Sequence, residues 1–254
     1  MLINERHQHI LNLLEKQKIV NNKKLTKSLY VSEATVRRDL RYLEQNGLLI
    51  RIRGGARIIE SSSSESSSII REQVLVNEKR AIAKECLQFI QDGDTCFFDS
   101  STTVGQLLPL LKPFKNLTII TNGINNSLIA VANNYNVFLA GGQTKIMTNS
   151  NVGTLTQNFI KNFNGNSLFF SCAGITPKGF ITEPNVEQAM AKREMLKKSK
   201  LHILLVDHTK FDQTFVATVS FISGVDIVIT NKTPMKYYLD LFERENVRLI
   251  VCNY

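Results

Sequence analysis

The chain lacks the features that mark membrane, secreted and metal-binding proteins. No apolar run approaches the roughly 18 residues of a membrane-spanning helix, and residues 1–6 have no signal-peptide pattern. No group of its four histidines and four cysteines has the spacing of a metal site. The four cysteines are scattered and form no CxxC pair: Cys86, Cys96, Cys172 and Cys252. These absences predict a cytoplasmic protein with buried, reduced thiols, and with neither a metal nor a cofactor.

Positive charge is concentrated at one end of the chain. Its 254 residues, 43% of them apolar, suffice for one small and one medium-sized domain. Residues 1–60 hold 12 Lys and Arg against 6 Asp and Glu, giving +6, whereas the other 194 hold 19 against 16, giving +3 of the total of +9. This distribution indicates a small module that meets a polyanion, although a solvated surface would also account for charge alone.

Residues 32–45 have the pattern of a helix that enters a DNA groove. Ser32 suits an N-cap, because its hydroxyl can accept a bond from a backbone N–H of the first turn. Val36, Leu40 and Leu43 recur at helical spacing and give the helix one apolar face. Off that face lie the side chains that would reach DNA: Thr35, Arg37, Arg38 and Arg41. Alternatively, one of the two adjacent arginines pairs with a carboxylate, either Asp39 or Glu44.

A basic hairpin is predicted directly after this helix. Gly47 can take the left-handed conformation in which helices often end. Residues 48–52 alternate enough for a strand, and Gly54-Gly55 forms the turn. Residues 57–59 would return as the second strand. The hairpin would then be a wing that carries three arginines: Arg51, Arg53 and Arg57.

Two further helices are predicted upstream, over residues 4–17 and 23–29, with a short strand between them. Asn22 would cap the second of these helices. Residues 1–60 thus predict a compact winged helix-turn-helix. The serine-rich segment 61–70 has little to bury and predicts a flexible linker.

Residues 71–254 alternate apolar runs with amphipathic segments. The apolar runs predict strands at 95–99, 117–121, 137–140, 168–172, 202–207, 226–230 and 248–252. The amphipathic segments predict helices at 73–91, 103–112, 123–134, 152–163, 185–199 and 235–245. Apolar strands separated by helices indicate a parallel sheet covered on both faces. Ligands of such sheets bind at the carboxyl ends of the strands.

Polar residues and glycines follow several of these strands. Residues 99–103, Asp-Ser-Ser-Thr-Thr, lead into a helix and suit an anion such as phosphate, although simple N-capping explains them equally well. Gly141-Gly142 would let a backbone approach a ligand, or would merely form a turn. Lys210 could meet a phosphate or pair with Asp207.

These motifs resemble those of the DeoR family of bacterial transcriptional regulators. Residues 35–40, Thr-Val-Arg-Arg-Asp-Leu, with Leu43-Glu44, Gly47 and residues 51–56, are similar to its N-terminal signature. Residues 99–103 resemble the family's Asp-Ser-Gly-Thr-Thr loop. Further landmarks match in order: Lys79, Thr121-Asn122, Gly141-Gly142, Ala173-Gly174-Ile175, Gly179, Asp207 and Lys210-Phe211.

The resemblance implies a winged helix-turn-helix (1–60), a linker (61–70), and a larger, mainly parallel α/β sensor and oligomerisation domain (71–254). The sensor domain would resemble ribose-5-phosphate isomerase and CoA transferases in fold, but would bind phosphorylated sugars without turning them over. Phosphate would be held by Ser101, Thr102 and Thr103. The rest of the effector site would comprise Lys79, Asp99, Asn122, Gly141, Gly142, Asp207 and Lys210. Operator contacts would come from Ser32, Thr35, Arg37, Arg38, Arg41, Arg51, Arg53 and Arg57.

The function implied is a repressor of a sugar-metabolism operon, without catalytic residues. It would bind double-stranded operator DNA and a phosphorylated sugar as a homodimer or homotetramer, away from membranes. Three residues depart from the family pattern: Arg53 replaces a usual His, Ser101 a Gly, and Asn231 an Asp. The last two predict either an altered effector or a sensor that binds none.

Two alternative functions remain open from the residues. The first is an isomerase-class enzyme that uses Asp207 and Lys210 with Glu183 or Glu187 as acid and base. The second is an architectural DNA-binding protein without a ligand.

Overall fold

The computed structural model describes residues 3–45, 48–57 and 68–252. They form two compact units that divide after Val76, and each unit has its own apolar core. In the described residues no helix is both long and apolar enough to cross a membrane.

The first unit is a winged helix-turn-helix, as the sequence predicts. Its three short strands form one antiparallel sheet in the order β1-β3-β2. The elements are α1 (Ile3–Gln17), β1 (Ile19–Asn21), α2 (Asn22–Leu29), α3 (Glu33–Gln45), β2 (Ile50–Ile52), β3 (Gly55–Arg57) and α4 (Ser68–Gln73). The predicted helix end at Gly47 and the end of the wing at residues 58–59 lie outside the described residues.

The helix caps differ from the prediction at one of two positions. Ser32 caps α3 as predicted, since its Oγ accepts a bond from the Thr35 N–H at 3.2 Å. The predicted cap of α2 was wrong by one residue. Asn21, not Asn22, accepts the Lys24 N–H at 2.8 Å, because β1 ends in an extended Asn21 that directly precedes the helix.

The first unit extends beyond the predicted winged helix. Helix α4 places Ile70 in the same core as α1, α2 and α3, and Val74 joins that core. The predicted linker 61–70 is therefore helical in its last three residues, and its other residues lie outside the described part of the chain.

The second unit is built on a seven-stranded parallel sheet in the order β15-β14-β12-β9-β4-β5-β6. Its first elements are α5 (Val76–Glu85), β4 (Thr95–Phe98), α6 (Thr102–Gly105), β5 (Thr118–Thr121), α7 (Ile124–Ala132), β6 (Asn136–Leu139), β7 (Gln143–Lys145), β8 (Ser150–Val152) and α8 (Thr154–Ile160). The rest are β9 (Gly165–Phe170), β10 (Gly174–Ile175), β11 (Phe180–Glu183), α9 (Val186–Lys197), β12 (Ser199–Val206), β13 (Ala217–Phe221), β14 (Ile227–Thr230), α10 (Lys236–Arg244) and β15 (Arg248–Val251). All seven predicted strands are present in this sheet.

Helices cover both faces of the sheet, as predicted. Successive residues of a strand point to opposite faces, and in β4 Phe97 and Phe98 accordingly belong to different core clusters. One cluster contains side chains of α5, α6 and α7, and the other contains side chains of α8, α9 and α10. The four cysteines are free and buried, which confirms their predicted burial.

Two smaller sheets were not predicted. Strands β7 and β8 form an antiparallel hairpin, and β10, β11 and β13 form an antiparallel sheet in that order. The predicted helix 103–112 is also shorter than expected. It consists of the four-residue α6 and a 3₁₀ turn at Leu108–Leu110, which contains Pro109.

Candidate DNA-binding surface and effector site

Helix α3 presents a basic face to solvent. Arg37, Arg38 and Arg41 are exposed, Thr35 is half-buried, and the three predicted core residues of the helix are buried. Exposed cations on a helix of this fold can reach both phosphates and base edges in a major groove. The exposed face is therefore available for the DNA contacts that the sequence predicts.

The carboxylates near the arginines have different partners from those considered from the sequence. Arg37 pairs with Glu33, since its Nη2 lies 2.7 Å from Oε1 of Glu33. Glu44 pairs with Arg51 of the wing and accepts both its N–H at 2.9 Å and its Nε–H at 2.7 Å. In residues 3–57, as far as they are described, no ion pair or hydrogen bond engages the guanidinium of Arg38.

Asp39 fastens α3 to α1 instead of pairing with a neighbouring arginine. Its carboxylate accepts bonds from Arg6 Nε at 2.8 Å and Arg6 Nη2 at 3.0 Å, and its Oδ1 lies 3.3 Å from His7 Nε2. The His7 ring stacks on Tyr42 at 4.9 Å. Burial alone would raise the pKa of Asp39, but the Arg6 guanidinium and His7 outweigh it and lower the pKa. Helix α3 is thus tied to α1 by a buried ion pair.

The wing turn depends on its two glycines. Gly54 has φ +82°, a conformation that glycine adopts at little cost. A Cβ on Gly55 would lie 2.2 Å from the carbonyl oxygen of Val20, so strands β1 and β3 could not approach as they do. Arg51 and Arg53 are exposed on the wing, and Arg57 is half-buried.

In the second unit, Asp99 organises the loop after β4. It is fully buried, and its carboxylate accepts the Ser101 N–H at 2.9 Å and the Ser171 N–H at 3.1 Å. From α7, Asn126 donates to the carbonyl oxygens of Asp99 at 2.7 Å and Ser101 at 3.3 Å. Ser101 caps α6, with its Oγ accepting the Val104 N–H at 3.3 Å. The capping interpretation therefore holds for Ser101, and its contact with phosphate stays a prediction.

One lysine contacts this loop, and two lysines lie near Asp207. Lys79 is buried and donates to Oγ1 of Thr102 at 3.2 Å. Burial alone would raise the pKa of Asp207, but Lys210, the Thr209 hydroxyl and Lys79 together hold the pKa below its usual value. The structure thus brings predicted residues from three separate segments into one cluster. Cations beside hydroxyl and carboxylate groups can bind a phosphate together with neighbouring hydroxyls.

Asn122 adds a buried acceptor after β5. Its Nδ2 donates to the carbonyl oxygen of Asn151 at 3.0 Å, whereas its Oδ1 is buried and has no hydrogen-bond partner among the described residues. Because an unsatisfied buried acceptor is costly, a ligand hydroxyl at Oδ1 would be favourable.

The two predicted glycines lie after β6, the outermost strand of the sheet. A Cβ on Gly142 would lie 2.2 Å from Oγ1 of Thr156, so close packing accounts for this glycine. The carbonyl oxygen of Gly141 accepts a bond from the same Thr156 hydroxyl at 2.7 Å. The role of both glycines in effector binding stays a prediction.

A buried lysine that the sequence analysis missed lies beneath the loop. Lys192 of α9 donates to the carbonyl oxygen of Ser171 at 2.6 Å and pairs with Asp99 at 3.0 Å and with Glu183. Burial alone would lower the pKa of Lys192, but the two carboxylates raise it. Its position was detectable, since Ala189, Lys192 and Met195 are spaced as one helical face and the two apolar residues are buried.

Asn231, one of the departures from the family pattern, connects two neighbouring strands. It follows β14, and its Oδ1 accepts the His208 N–H at 2.8 Å, next to β12. An amide at this position can also contact the His208 ring, where Nδ2 lies 3.0 Å from Nδ1. Asn231 therefore supports the segment that carries Lys210.

The first unit is a winged helix-turn-helix with an exposed basic helix. The second unit is a parallel α/β domain that holds a buried cluster of lysines and carboxylates. Together they define a DNA-binding regulator with a sensor domain. Residues 6–62 match the family model of the DeoR-like helix-turn-helix domain, and residues 75–232 match that of the DeoR C terminal sensor domain. The chain therefore belongs to the DeoR family of transcriptional regulators.

Named relatives are similar over nearly their whole length. The chain is 30% identical to the glycerol-3-phosphate regulon repressor of Escherichia coli (strain K12) over 98% of each chain. It is 31% identical to the HTH-type transcriptional regulator GolR of Listeria innocua over 93% of this chain and 95% of that protein. It is also 31% identical to the lactose phosphotransferase system repressor of Staphylococcus epidermidis over 91% and 93%, respectively.

Solved structures give a more distant likeness. A ribose-5-phosphate isomerase in complex with phospho-erythronic acid aligns over 53% of each chain, with 14% identity and a TM-score of 0.39. At this level the alignment says nothing about activity.

Proposed function

We propose that this protein is a cytoplasmic repressor of a sugar-metabolism operon, and that a phosphorylated sugar or polyol bound to its second unit controls its operator affinity. One cluster of residues carries the proposal. In it Lys79 donates a hydrogen bond to Thr102, and Lys79 and Lys210 both lower the pKa of buried Asp207. Relatives named as repressors of a glycerol-3-phosphate regulon and of a lactose phosphotransferase system support an effector of this class.

Within the effector site, each group has a chemical role. The phosphate would lie against the hydroxyls of Ser101, Thr102 and Thr103 and be neutralised by Lys79 and Lys210. Asn122 Oδ1 and Asp207 would accept hydroxyl groups of the sugar. Asp99 already accepts two backbone N–H groups and faces Lys192, so we assign it to ordering the loop instead of contacting the effector.

On the DNA, α3 would enter the major groove. Thr35, Arg38 and Arg37 would reach base edges or flanking phosphates. Contacts to the phosphate backbone would come from Ser32, Arg41, Arg51, Arg53 and Arg57. Two copies of the first unit, the DNA-binding head, on a dimer or tetramer would match two related half-sites.

The test measures effector binding and operator release with the same compounds. We expect glycerol 3-phosphate, a pentose 5-phosphate or a hexose 6-phosphate to raise the thermal stability of the full-length protein, and its unphosphorylated counterpart to have no effect. The same compound should release a labelled operator fragment. If no phosphorylated compound raises the stability or releases DNA, the effector part of the proposal is wrong.

A substitution of Lys210 tests whether this lysine binds the effector. Lys210→Ala should keep operator affinity while requiring a higher effector concentration for release. Lys200→Ala, at an exposed lysine of β12, is the matched control. Release of both variants at the wild-type effector concentration would remove Lys210 from the site.

We further propose that the second unit is not an enzyme. Glu183 is held in an ion pair with Lys192, and the relatives are named as regulators, which supports this assignment. Incubation with pentose phosphates, followed by NMR, should show unchanged substrate. Turnover by the wild type that is absent from Lys210→Ala purified in the same way would contradict a purely regulatory role.

A further inference from the structure

The β7–β8 hairpin is fastened to the carboxyl end of the parallel sheet by polar contacts. Asn151 of β8 donates its N–H to the carbonyl oxygen of Asn122 at 2.8 Å, and its own carbonyl oxygen accepts the Asn122 side-chain amide at 3.0 Å. The preceding Ser150 forms an isolated bridge with Gly123. A Cβ on Gly123 would lie 2.8 Å from the Cα of Ser100, so the loop after β4 is equally close. The hairpin thus lies beside Asn122, whose buried Oδ1 has no hydrogen-bond partner among the described residues.

Gln188 of α9 connects the hairpin to the loop after β4. Its side-chain amide donates to Oγ1 of Thr148 at 2.9 Å and to Oγ of Ser150, and these two hydroxyl oxygens lie 2.7 Å apart. The bond that its Oε1 accepts from the Ser100 hydroxyl is long, at 3.5 Å. The first three side chains are buried, whereas Ser100 is half-buried. Solvent therefore reaches this group from the loop that precedes the proposed phosphate contacts.

The charged side chains that border this group are already paired. Lys192 of α9 is paired with Asp99 and Glu183. Glu187 of the same helix is paired with Lys145 of β7 at 2.6 Å. The group itself consists of hydroxyls and amides, which suit the hydroxyls of a ligand. A carboxylate, an ammonium or a second phosphate would be desolvated here without a counterion, at a cost that a hydroxyl does not incur.

We propose that Ser100, Thr148, Ser150 and Gln188 form, together with Asn122 Oδ1, the subsite that recognises the uncharged end of the effector. Gln188 determines which substituent this subsite accepts. Effector hydroxyls donate to Asn122 Oδ1 and Gln188 Oε1, while the Ser100 hydroxyl turns to the ligand. The inference rests on the proposed function, because a phosphate must occupy the neighbouring loop. It narrows the effector to a sugar or polyol with one phosphate, and excludes sugar acids, amino sugars and bisphosphates.

The test compares compounds that share a phosphate and differ at the other end. Full-length protein is titrated by calorimetry with three pairs: glycerol 3-phosphate and 3-phosphoglycerate, fructose 6-phosphate and fructose 1,6-bisphosphate, and glucose 6-phosphate and glucosamine 6-phosphate. We expect a neutral-ended member to bind the wild type, and its charged counterpart to bind about tenfold more weakly or worse.

Substitutions in the subsite distinguish recognition from support of the loop. Gln188→Met should weaken the neutral-ended compound about tenfold and so narrow its advantage over the charged one. Ser150→Ala, a smaller change, should weaken the same compound about threefold or more. Lys210→Ala should instead weaken both members of the pair and leave their ratio unchanged. Gln91→Met is the matched control, because Gln91 is exposed and precedes the amino end of β4. Circular dichroism and operator binding verify that each variant folds.

The outcomes separate the subsite from the proposed function. If no phosphorylated compound binds the wild type, effector control is wrong and the subsite is wrong with it. If a compound binds and Lys210→Ala weakens it, while Gln188→Met and Ser150→Ala keep the wild-type Kd, the proposed function stands and the subsite is overturned. A charged counterpart that binds the wild type as tightly as the neutral-ended compound would also overturn the subsite.

Discussion

Two adjacent arginines on α3 differ in their ion pairing. Arg37 is paired with Glu33 one turn away, whereas Arg38 has no such pair among the described residues. DNA would have to compete with Glu33 for Arg37, although an exposed pair of this kind contributes little to stability. We therefore expect Arg38 to contribute more to operator binding than Arg37.

We predict that Arg38→Ala costs about 1–3 kcal/mol of specific operator binding, and that Arg37→Ala costs less. Fluorescence anisotropy with a labelled operator measures both. Arg244→Ala, at an exposed arginine of α10, controls for the loss of one positive charge. Equal affinities for Arg38→Ala and this control would place Arg38 outside the DNA interface.

Buried Lys192 is predicted to contribute to stability through its two carboxylates. Lys192→Met would leave Asp99 and Glu183 buried side by side without a cation, and removing one member of a buried ion pair costs about 3–5 kcal/mol. Urea unfolding followed by circular dichroism measures the loss. Lys197→Met on the same helix is the control, because the Lys197 side chain is exposed, and a pair made by an exposed lysine contributes about 0–1 kcal/mol. Similar midpoints for the two variants would show that the buried cluster contributes no more than a surface pair.

Among the elements, α1 and α3 are joined by the buried pair of Arg6 and Asp39. The lowered pKa of Asp39 means that its carboxylate stabilises the folded head at every pH above its usual value of about 3.9. This contribution is lost as the pH falls through the lowered pKa of the folded state. The pH at which the head unfolds in acid should therefore depend on Asp39.

We predict that Asp39→Asn destabilises the head by about 3–5 kcal/mol at neutral pH, because the buried ion pair with Arg6 is lost. Acidification should then cause a smaller further loss in the variant than in the wild type. Hydrogen exchange of the peptide that covers α3 measures the first effect, and acid titration followed by circular dichroism measures the second. A variant with wild-type exchange and the same acid midpoint would contradict this role of Asp39.

The elements that were predicted correctly are those whose burial is evident from the pattern of apolar residues within the element itself. Each parallel strand is an apolar run covered on both faces, so its composition alone identifies it. The antiparallel sheet was missed because β10 has two residues, and because β11 pairs with β13 across α9 and β12. Strands so far apart in the sequence are not joined by a hairpin turn, so no local turn motif predicts their pairing. The predicted cap of α2 failed because two consecutive asparagines suit the same position.

The candidate effector site was predictable to a similar extent. The rule that ligands bind at the carboxyl ends of parallel strands located Asp99, Asn122 and Asp207. The partner that neutralises Asp99 was not predictable from this rule, because Lys192 comes from a helix beneath the sheet. A lysine on the buried face of a helix is the local signal that such a pair exists.

For the whole molecule, the division into two units with separate cores limits how the effector can act. The head has a core of its own, and the second unit has two clusters on the faces of its sheet. Control of DNA binding then requires that effector and operator favour different states of the whole chain, not that they share a site.

Thermodynamic linkage makes this requirement measurable. If the effector weakens operator binding by a certain factor, the operator must weaken effector binding by the same factor, and such couplings are typically about 1–3 kcal/mol, or about 5–150-fold. We therefore predict that calorimetric titration with the releasing sugar phosphate gives a higher Kd in the presence of saturating operator than with a scrambled fragment of equal length. The ratio should equal the ratio of operator affinities measured with and without effector. Lys210→Ala should raise the effector Kd in both titrations and leave their ratio unchanged, because it would alter the site and not the two states. An effector Kd that is the same with operator and with scrambled DNA would mean that the compound binds without controlling the head.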